Sequence, residues 1–391
     1  MKFIDQVELK GKTVFLRSDL NVPLDDDLNI TDDNRIKASL PTIEHILNKG
    51  GKLVLSCHLG RPGGKAVKEL SLKPVASRLE ELIGKKVNLA PECIGPEVDR
   101  LKSELTQGEI LLLENIRFEA GETKNDPSFA KELSKDIDIF VNDAFGTAHR
   151  SHASTVGIVE HVETKAGGFT LKDEIEYFDK CFKNPSSPLV AIFGGAKVSS
   201  KLGAILNVAK RADVILIGGA MANTFFAAKG LGVGKSLHEP ELLAQARETE
   251  EELKRQGCEL VIPSDLIVAK EFSESAETRV SPIDQIAEDE MAMDIGPDTL
   301  SHYSKIIDTA STVVWNGPMG VLEMDPFAQG TFGIVDALCK AKALTVVGGG
   351  DTDLALHKKH AFDKVDYVST GGGAFLVLLE GKTLSAVEAL K

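Results

Sequence analysis

Cysteine is sparse in this chain: five thiols in 391 residues, at positions 57, 93, 181, 258 and 339, odd in number and with no C-x-x-C pair. That excludes a disulfide framework and leaves buried free thiols in a reducing cytoplasm. Long apolar runs are missing too. Nothing approaches the ~20 apolar residues of a membrane span, and the opening MKFIDQVELKG has no apolar signal core. Positive charge is in deficit, with Lys+Arg 45 against Asp+Glu 59 and a net charge of −14. A chain this acidic is not expected to take nucleic acid or a membrane surface as its main partner. Small anionic ligands answer to local clusters of charge and stay open. Low-complexity tracts and strict repeats are absent. So is a G-x-G-x-x-G fingerprint, which weakens a nicotinamide-dependent reading. GLGVGKS (230–236) ends like a P-loop, but the position six before Lys235 is Lys229 where glycine is required, and a helical pattern at 221–228 precedes it. The Walker-type reading fails.

What is present suits two α/β domains. The length exceeds one ordinary domain, and 42% apolar with 27% charged residues is normal for a globular chain. In the first half TVFL (13–16), LVLS (53–56), ILLL (110–113) and IDIFV (137–141) read as strands, with helical spacing between several of them, as at 35–48 and 73–83. This alternation predicts a parallel sheet in each half. In the second half four short runs close on glycine: Gly194-Gly195 after LVAIF, Gly218-Gly219 after VILI, Gly348-Gly349-Gly350 after LTVV, and Gly371-Gly372-Gly373 after DYVST. Each cluster reads as the opening of a helix, where backbone N–H groups can approach a bound phosphate. Between the halves, 171–182 has helical spacing with Leu171, Ile175, Phe178 and Phe182 on one side, and Asn184-Pro185-Ser186-Ser187-Pro188 breaks it. This suits a connector or hinge, and equally a plain surface helix.

Cations gather at the strand ends of the first half. Arg17, Asp19 and Asn21 follow TVFL in RSDLNVP, and His58 and Arg61 follow LVLS in SCHLGRP. Asn115 and Arg117 follow ILLL in ENIRF, while His149, Arg150 and His152 follow IDIFV in NDAFGTAHRSHAS. Arg35 opens the first helical pattern. Ligands of open α/β sheets bind beyond the carboxyl ends of the strands. One such arginine alone is most simply a solvated side chain. The set in register describes a positive site for a small, multiply anionic ligand, since the guanidinium fork pairs with phosphate or carboxylate oxygens.

In the second half, GGAKVSSK (194–201) puts Lys197 and Lys201 four apart at an expected helix start. Mutual repulsion and the helix dipole disfavour both there unless a polyphosphate binds. Asp351, after three glycines, reads either as an N-cap or as the carboxylate of a Mg²⁺ shared with ligand phosphates. VVWNGPMGVLE (313–323) is a strand and a Pro/Gly turn ending at Glu323, with Trp315 as core.

RSDLNVP, SCHLGRP, ENIRF, NDAFGTAHRSHAS, GGAKVSSK, WNGPMGVLE, GGGDT and STGGGA run in one order over nearly the whole chain, and together they resemble the phosphoglycerate kinase family. The resemblance implies two Rossmann-like, doubly wound parallel-sheet α/β domains facing across a cleft and joined by a hinge helix. The implied divisions are 1–170 for phosphoglycerate, 171–184 as the hinge, 185–373 for the nucleotide, and 374–391 returning to the first domain. The implied protein is a cytoplasmic monomer of glycolysis and gluconeogenesis. It transfers a phosphoryl group between 1,3-bisphosphoglycerate and ADP, giving 3-phosphoglycerate and ATP with Mg²⁺.

The same resemblance implies that Asp19, Asn21, Arg35, His58, Arg61, Arg117 and Arg150 hold the phosphoglycerate, with Arg17 and His149 as outer members of the patch. Gly195, Ala196, Lys197, Lys201, Gly219, Asn316, Pro318, Glu323, Gly348, Gly349, Gly350, Asp351 and Thr352 would hold the nucleotide, Glu323 at the ribose and Asp351 at the metal. Gly371 and Gly372 would offer N–H groups to the phosphoryl in transit. Ser200 stands where the family commonly has Asp, Phe375 where a smaller residue is usual, and the end SAVEALK lacks the usual Pro-Gly. None of these replaces a residue assigned to chemistry.

The chemistry asks little of the protein. An acceptor carboxylate is already deprotonated at neutral pH, so no general base is needed, and no Ser/His/Asp or Cys/His constellation is evident. Catalysis is then expected to be positioning plus charge stabilisation, with Arg35 and Lys197 neutralising the oxygens of the moving group. The alternatives are another α/β phosphotransferase or an inactive relative of the family. Loss of Arg35, Lys197 or Asp351 would mark the latter, and all three are present.

Overall fold

Buried β-branched runs separated by amphipathic helices build two parallel sheets, as the alternation predicts. The computed structural model describes residues 1–391. They form two units, Met1–Ile175 with Thr383–Lys391, and Glu176–Lys382.

In the first unit β1 (Thr13–Arg17), β2 (Lys52–Ser56), β3 (Val87–Leu89), β4 (Ile110–Leu112), β5 (Ile139–Asn142) and β6 (Thr164–Gly167) lie in the order β3-β4-β2-β1-β5-β6. Every pair is parallel. TVFL, LVLS, ILLL and IDIFV supply β1, β2, β4 and β5. The strands β3 (VNL) and β6 (TKAG) are too short and mixed to stand out in the sequence. Helices Asn34–Asn48 and Lys73–Ile83 fall where helical spacing put them. Leu16, Leu55, Leu112 and Val141 join Ile36, Ile43 and Ile46 in one core. Since β1 lies between β2 and β5, strand order reverses there, the place where open α/β sheets bind ligands.

The second unit begins with β7 (Leu189–Phe193), β8 (Val214–Ile217) and β9 (Glu259–Val261). Three strands, β10 (Asp265–Ala269), β11 (Thr278–Pro282) and β12 (Met291–Ile295), then form a separate antiparallel sheet that the sequence analysis did not anticipate. The chain returns with β13 (Thr312–Asn316), β14 (Leu344–Gly348) and β15 (Tyr367–Ser369), giving a parallel sheet in the order β15-β14-β13-β7-β8-β9. Its reversal point lies between β7 and β13. Parallel strands bring the turns after β7, β8, β13 and β14 to one edge. Trp315 is fully buried, as expected of core, and its Nε1 donates to Gly317 O at 2.8 Å.

Helix Phe169–Phe182 contains the division between the units. Its first turn is anchored in the first: Asp143 accepts from Leu171 N at 3.0 Å and Thr170 Oγ1 at 3.1 Å, and Thr42 Oγ1 accepts from Phe169 N at 2.9 Å. Burial pushes the Asp143 carboxyl up to about 7, against the pull of these bonds. Within the second unit Tyr177 stacks on Tyr367 with ring centres 4.3 Å apart, and Phe178 meets Phe375 edge-on. Residues 374–382, expected in the returning segment, stay in the second unit. Asn207 Nδ2 holds Leu379 O there at 3.0 Å. In the first unit, helix Ser385–Ala389 is tied by Ala386 N to Ala148 O at 2.9 Å. All five thiols are unbridged, Cys339 alone being partly exposed.

Candidate active site

Register places the cations of the first unit. Arg17 ends β1 opposite Ser56 and Asn142, so the loops that follow β1, β2 and β5 start side by side. At their centre is His58, 4% exposed. Burial, then the charges of Arg17, Arg117, Arg35 and Arg150, hold its pKa well below 6.5, and the ring is neutral. Arg17 Nη2 lies 3.1 Å from His58 Nδ1. A guanidinium can only donate, so Nδ1 accepts and the ring hydrogen sits on Nε2.

The other expected residues stand around this ring. Arg117 donates Nη1 to Gly60 O at 2.8 Å, and its Nε is buried with no partner. Burial, then the charges of Arg17 and Arg150, brings its pKa down to about 10. Arg35, on the first turn of helix Asn34–Asn48, donates Nη1 to Asp19 Oδ2 at 3.0 Å. Asn21 Oδ1 accepts Gly60 N at 2.8 Å and ties the loops after β1 and β2 together. Arg150 is half-buried, its Nε 3.2 Å from His149 Nε2. Arg61 is exposed and takes no part in these bonds. Arg17 requires a correction: it is no outer member of the patch but fully buried, with Ser18 O, Ser154 Oγ and His58 Nδ1 as its acceptors.

In the second unit the glycine turns are joined backbone to backbone. Gly194 N donates to Asn316 O (3.1 Å), Gly195 N to Pro318 O (2.9 Å), Gly219 N to Met319 O (2.8 Å) and Met221 N to Gly195 O (3.0 Å). A Cβ at Gly194 would fall 2.0 Å from Pro318 O, and one at Gly219, where φ is +67°, 2.5 Å from Gly195 N. Only glycine permits that approach. Gly372 packs likewise, a Cβ there falling 2.9 Å from Gly349 Cα. Three clusters open helices, Met221–Ala228, Gly350–Lys358 and Gly372–Leu379.

The first cluster does not. Lys197 and Lys201 precede helix Leu202–Val208 in an irregular turn, so the expected helical pair is split. Side-chain bonds compete with helix here: Ser199 N and Oγ donate to Glu239 at 2.9 and 2.5 Å, and Ser200 Oγ donates to Lys197 O at 2.9 Å. Lys197 is exposed and unpaired. Lys201 is half-buried, its Nζ donating to Asn316 O at 3.1 Å and to Asn316 Oδ1. Burial, opposed by the charge of Asp351, lowers its ammonium to about 8. Asn316 Nδ2 donates to Gly348 O at 2.7 Å, so this side chain staples turns together. Thr352 is buried, with its hydroxyl on Gly348 O and Gly349 O, both 2.9 Å. The Gly371 N–H points to Ser369 Oγ at 3.3 Å.

Of the expected nucleotide residues, Gly195, Ala196, Gly219, Pro318, Glu323 and Asp351 line a cleft of about 470 Å³. Glu323 and Asp351 are exposed carboxylates at its wall. One unit thus presents clustered guanidinium groups and a neutral imidazole. The other presents a part-apolar cleft rimmed by glycine turns and lysine.

Comparison with known proteins decides what this pairing is. The family profile described as phosphoglycerate kinase matches residues 4–382. The phosphoglycerate kinase of Geobacter sp. (strain M21) is 49% identical over 392 residues, covering 100% of this chain and 98% of its own length. The chain belongs to the phosphoglycerate kinase family. The cytosolic phosphoglycerate kinase of Triticum aestivum is 48% identical over 390 residues, with 99% and 97% covered. The phosphoglycerate kinase structure from Coxiella burnetii aligns with a TM-score of 0.90 at 42% identity, over 99% of this chain and 98% of that one. That from Pyrococcus horikoshii OT3 aligns at 0.87 and 34% identity, over 100% and 98%. The chain is therefore a phosphotransferase of that activity, and the inactive alternative is not favoured.

Sequence reasoning missed the far wall of the cleft in this phosphoglycerate kinase fold: Lys235, Leu237, Phe272, Met293 and Val321. Phe272 and Leu237 are 63% and 55% exposed on irregular segments, so no periodicity marks them. Large exposed apolar groups around a cleft are the signal that was available only in three dimensions. Lys235 comes from the discarded GLGVGKS. That segment does follow helix Met221–Ala228, as its rejection assumed. Lys235 N on Glu290 O at 2.7 Å and Ala292 N on Ser236 Oγ at 2.8 Å nevertheless pin it beside β12 at the cleft. No helix is long and apolar enough to cross a membrane.

Proposed function

We propose that the cationic cluster of the first unit holds the phosphoglycerate, that the cleft of the second holds the nucleotide, and that the phosphoryl group passes directly between them. One observation carries this: four arginine charges bear on a single buried, neutral histidine in a protein of net charge −14. Asp19 and Glu122 offset part of that like charge, and a multiply anionic ligand offsets the rest. His58 Nε2–H, Arg117, Arg150 and Arg61 bind and orient the phosphoglycerate, with Asp19 and Asn21 holding Arg35 and the loops. The apolar wall takes the base and Glu323 the ribose. Lys201 takes the phosphates, and Gly195 and Gly219, whose N–H groups are committed to Pro318 O and Met319 O, leave the space for them to approach. Gly372, at the start of its helix, offers N–H to the group in transit.

Arg35 and Lys197 neutralise the equatorial oxygens during in-line transfer, and no covalent phosphoenzyme forms. Asp351 has no ion-pair partner in the protein, and the chain has no cluster of three or more His, Cys, Asp or Glu suited to a metal. A single exposed carboxylate fits Mg²⁺, which keeps few protein ligands and shares its shell with phosphate oxygens, whose charge it offsets when bound. The chain acts as a cytoplasmic monomer, without nucleic acid or membrane partners. The deciding experiment is ATP- and 3-phosphoglycerate-dependent acyl-phosphate formation, read through a coupled dehydrogenase. Inactivity over a range of Mg²⁺ concentrations would sink the proposal.

Because the two ends of the reaction sit on different units, direct transfer requires these to come together, with helix Phe169–Phe182 as the hinge. Adding both substrates should lower the radius of gyration in solution scattering. Full activity with no compaction counts against closure.

The low pKa of Lys201 has its own consequence. A bound polyanion favours the ammonium form, so above about pH 8 binding must take up a proton. The nucleotide KM should rise as pH passes 8, by up to about tenfold per unit. Lys201→Arg, charged throughout, should flatten that rise. A wild-type KM constant to pH 9.5 contradicts the assignment.

A further inference from the structure

The burial of Arg17 leaves a question that binding alone does not answer. A guanidinium with no access to solvent cannot be a surface contact for a small anion, yet it is built into the middle of the cationic cluster. Its bonds have a consistent direction. Arg17 Nη2 donates to His58 Nδ1 at 3.1 Å, and Arg17 Nε donates to Ser154 Oγ at 2.9 Å. Ser154 Oγ in turn donates to Glu122 Oε1 at 2.7 Å, and Ser154 N to Glu122 Oε2 at 2.9 Å. Ser154 and Glu122 are both fully buried, and His152 Nδ1 lies 3.5 Å from Glu122 Oε1.

An ionised carboxylate buried next to an anion site is costly unless it is paired and hydrogen-bonded. Burial alone would raise the pKa of Glu122. The His152 ring 3.5 Å away, the Arg17 charge and the two Ser154 bonds outweigh it and hold the carboxyl below its usual range. Glu122 therefore supplies a negative charge to Arg17 from behind Ser154, where it cannot repel a bound anion at contact. His58 Nε2 meets no protein acceptor, so the hydrogen assigned to it by the Arg17 bond is free for a ligand oxygen.

We infer that Ser154 and Glu122 are positioning residues for the phosphoglycerate site: through Arg17 they fix His58 in the tautomer that keeps Nε2–H as its free donor. This rests on placing phosphoglycerate at the cationic cluster. Neither residue stood out in the sequence, because Ser154 and Glu122 lie 32 residues apart and meet only in the folded unit.

The test uses the full-length enzyme labelled with [¹⁵N]histidine. Of nine histidines, His58 is identified by the signal lost in H58N. In the native enzyme without ligand, His58 should show one tautomer, protonated at Nε2. Ser154→Ala removes one oxygen and keeps the charges. It should give exchanging tautomers at His58 and raise the 3-phosphoglycerate KM about tenfold, the loss of one hydrogen bond to a charged group. The KM for ATP and kcat should stay within about twofold. Glu122→Gln should shift both readouts the same way. Where that buried change prevents folding, Ser154→Ala carries the test alone. An unshifted His58 tautomer in Ser154→Ala overturns the positioning role. A shifted tautomer with unchanged 3-phosphoglycerate KM overturns instead the placement of phosphoglycerate at this cluster.

Discussion

Arg35→Ala should cut turnover by about three orders of magnitude while leaving nucleotide affinity within about twofold. The geometry gives the split. Arg35 belongs to the first unit, at the start of helix Asn34–Asn48, whereas the cleft assigned to the nucleotide belongs wholly to the second. Its side chain is 39% exposed and held by a single bond to Asp19 Oδ2, so it is aimed yet accessible. A pair of this kind contributes roughly 0–1 kcal/mol to stability. The variant should therefore melt close to wild type, and the lost rate cannot be ascribed to unfolding. Arg35→Lys keeps the charge but not the planar fork, and should recover only part of the rate. Asp19→Ala frees the guanidinium without removing it, and should cost less than Arg35→Ala. Near-normal kcat in Arg35→Ala would refute its role.

Much of this was legible in the sequence, for a physical reason. Strands buried on both faces must be continuous apolar runs, so TVFL, LVAIF, VILI and LTVV mark themselves. Glycine must follow them wherever two backbones meet, as Gly194 and Gly219 do. The family's ordered motifs then named the cations. What stayed hidden depended on side chains meeting across long separations. Arg17 looked like one cation among many, because nothing local distinguishes a guanidinium that ends on Ser154 and Glu122 from one that faces solvent. Lys197 and Lys201 looked equivalent at helical spacing, because the bonds of Ser199 to Glu239 that hold the turn out of helix come from 40 residues away. The small antiparallel sheet is carried by short mixed strands such as TRVSP, whose exposed face lacks a clean alternation.

That last difference between the two lysines makes the second large prediction. Lys197→Ala should lower kcat by about 10²–10³, the range seen when one preorganised charge is removed from a transition state. Its stability should stay within about 0.5 kcal/mol of wild type, since an exposed, unpaired ammonium supports nothing in the free protein. Lys201→Ala should behave differently. Its Nζ satisfies both oxygens of Asn316, and Asn316 in turn holds Gly348 O. Losing that ammonium leaves Asn316 Oδ1 without a donor, Asn316 O keeping Gly194 N, and loosens the staple between the turns after β7, β13 and β14. A loss of roughly 1–3 kcal/mol in unfolding free energy is expected, together with weaker nucleotide binding. Thermal melts and separate kcat and KM measurements on the two variants distinguish the roles. If both lose kcat alone with unchanged melting, Lys201 is not part of the scaffold. If both melt early, Lys197 is not the free charge that its exposure describes, and neutralisation of the moving phosphoryl must come from Arg35 and the glycine N–H groups alone.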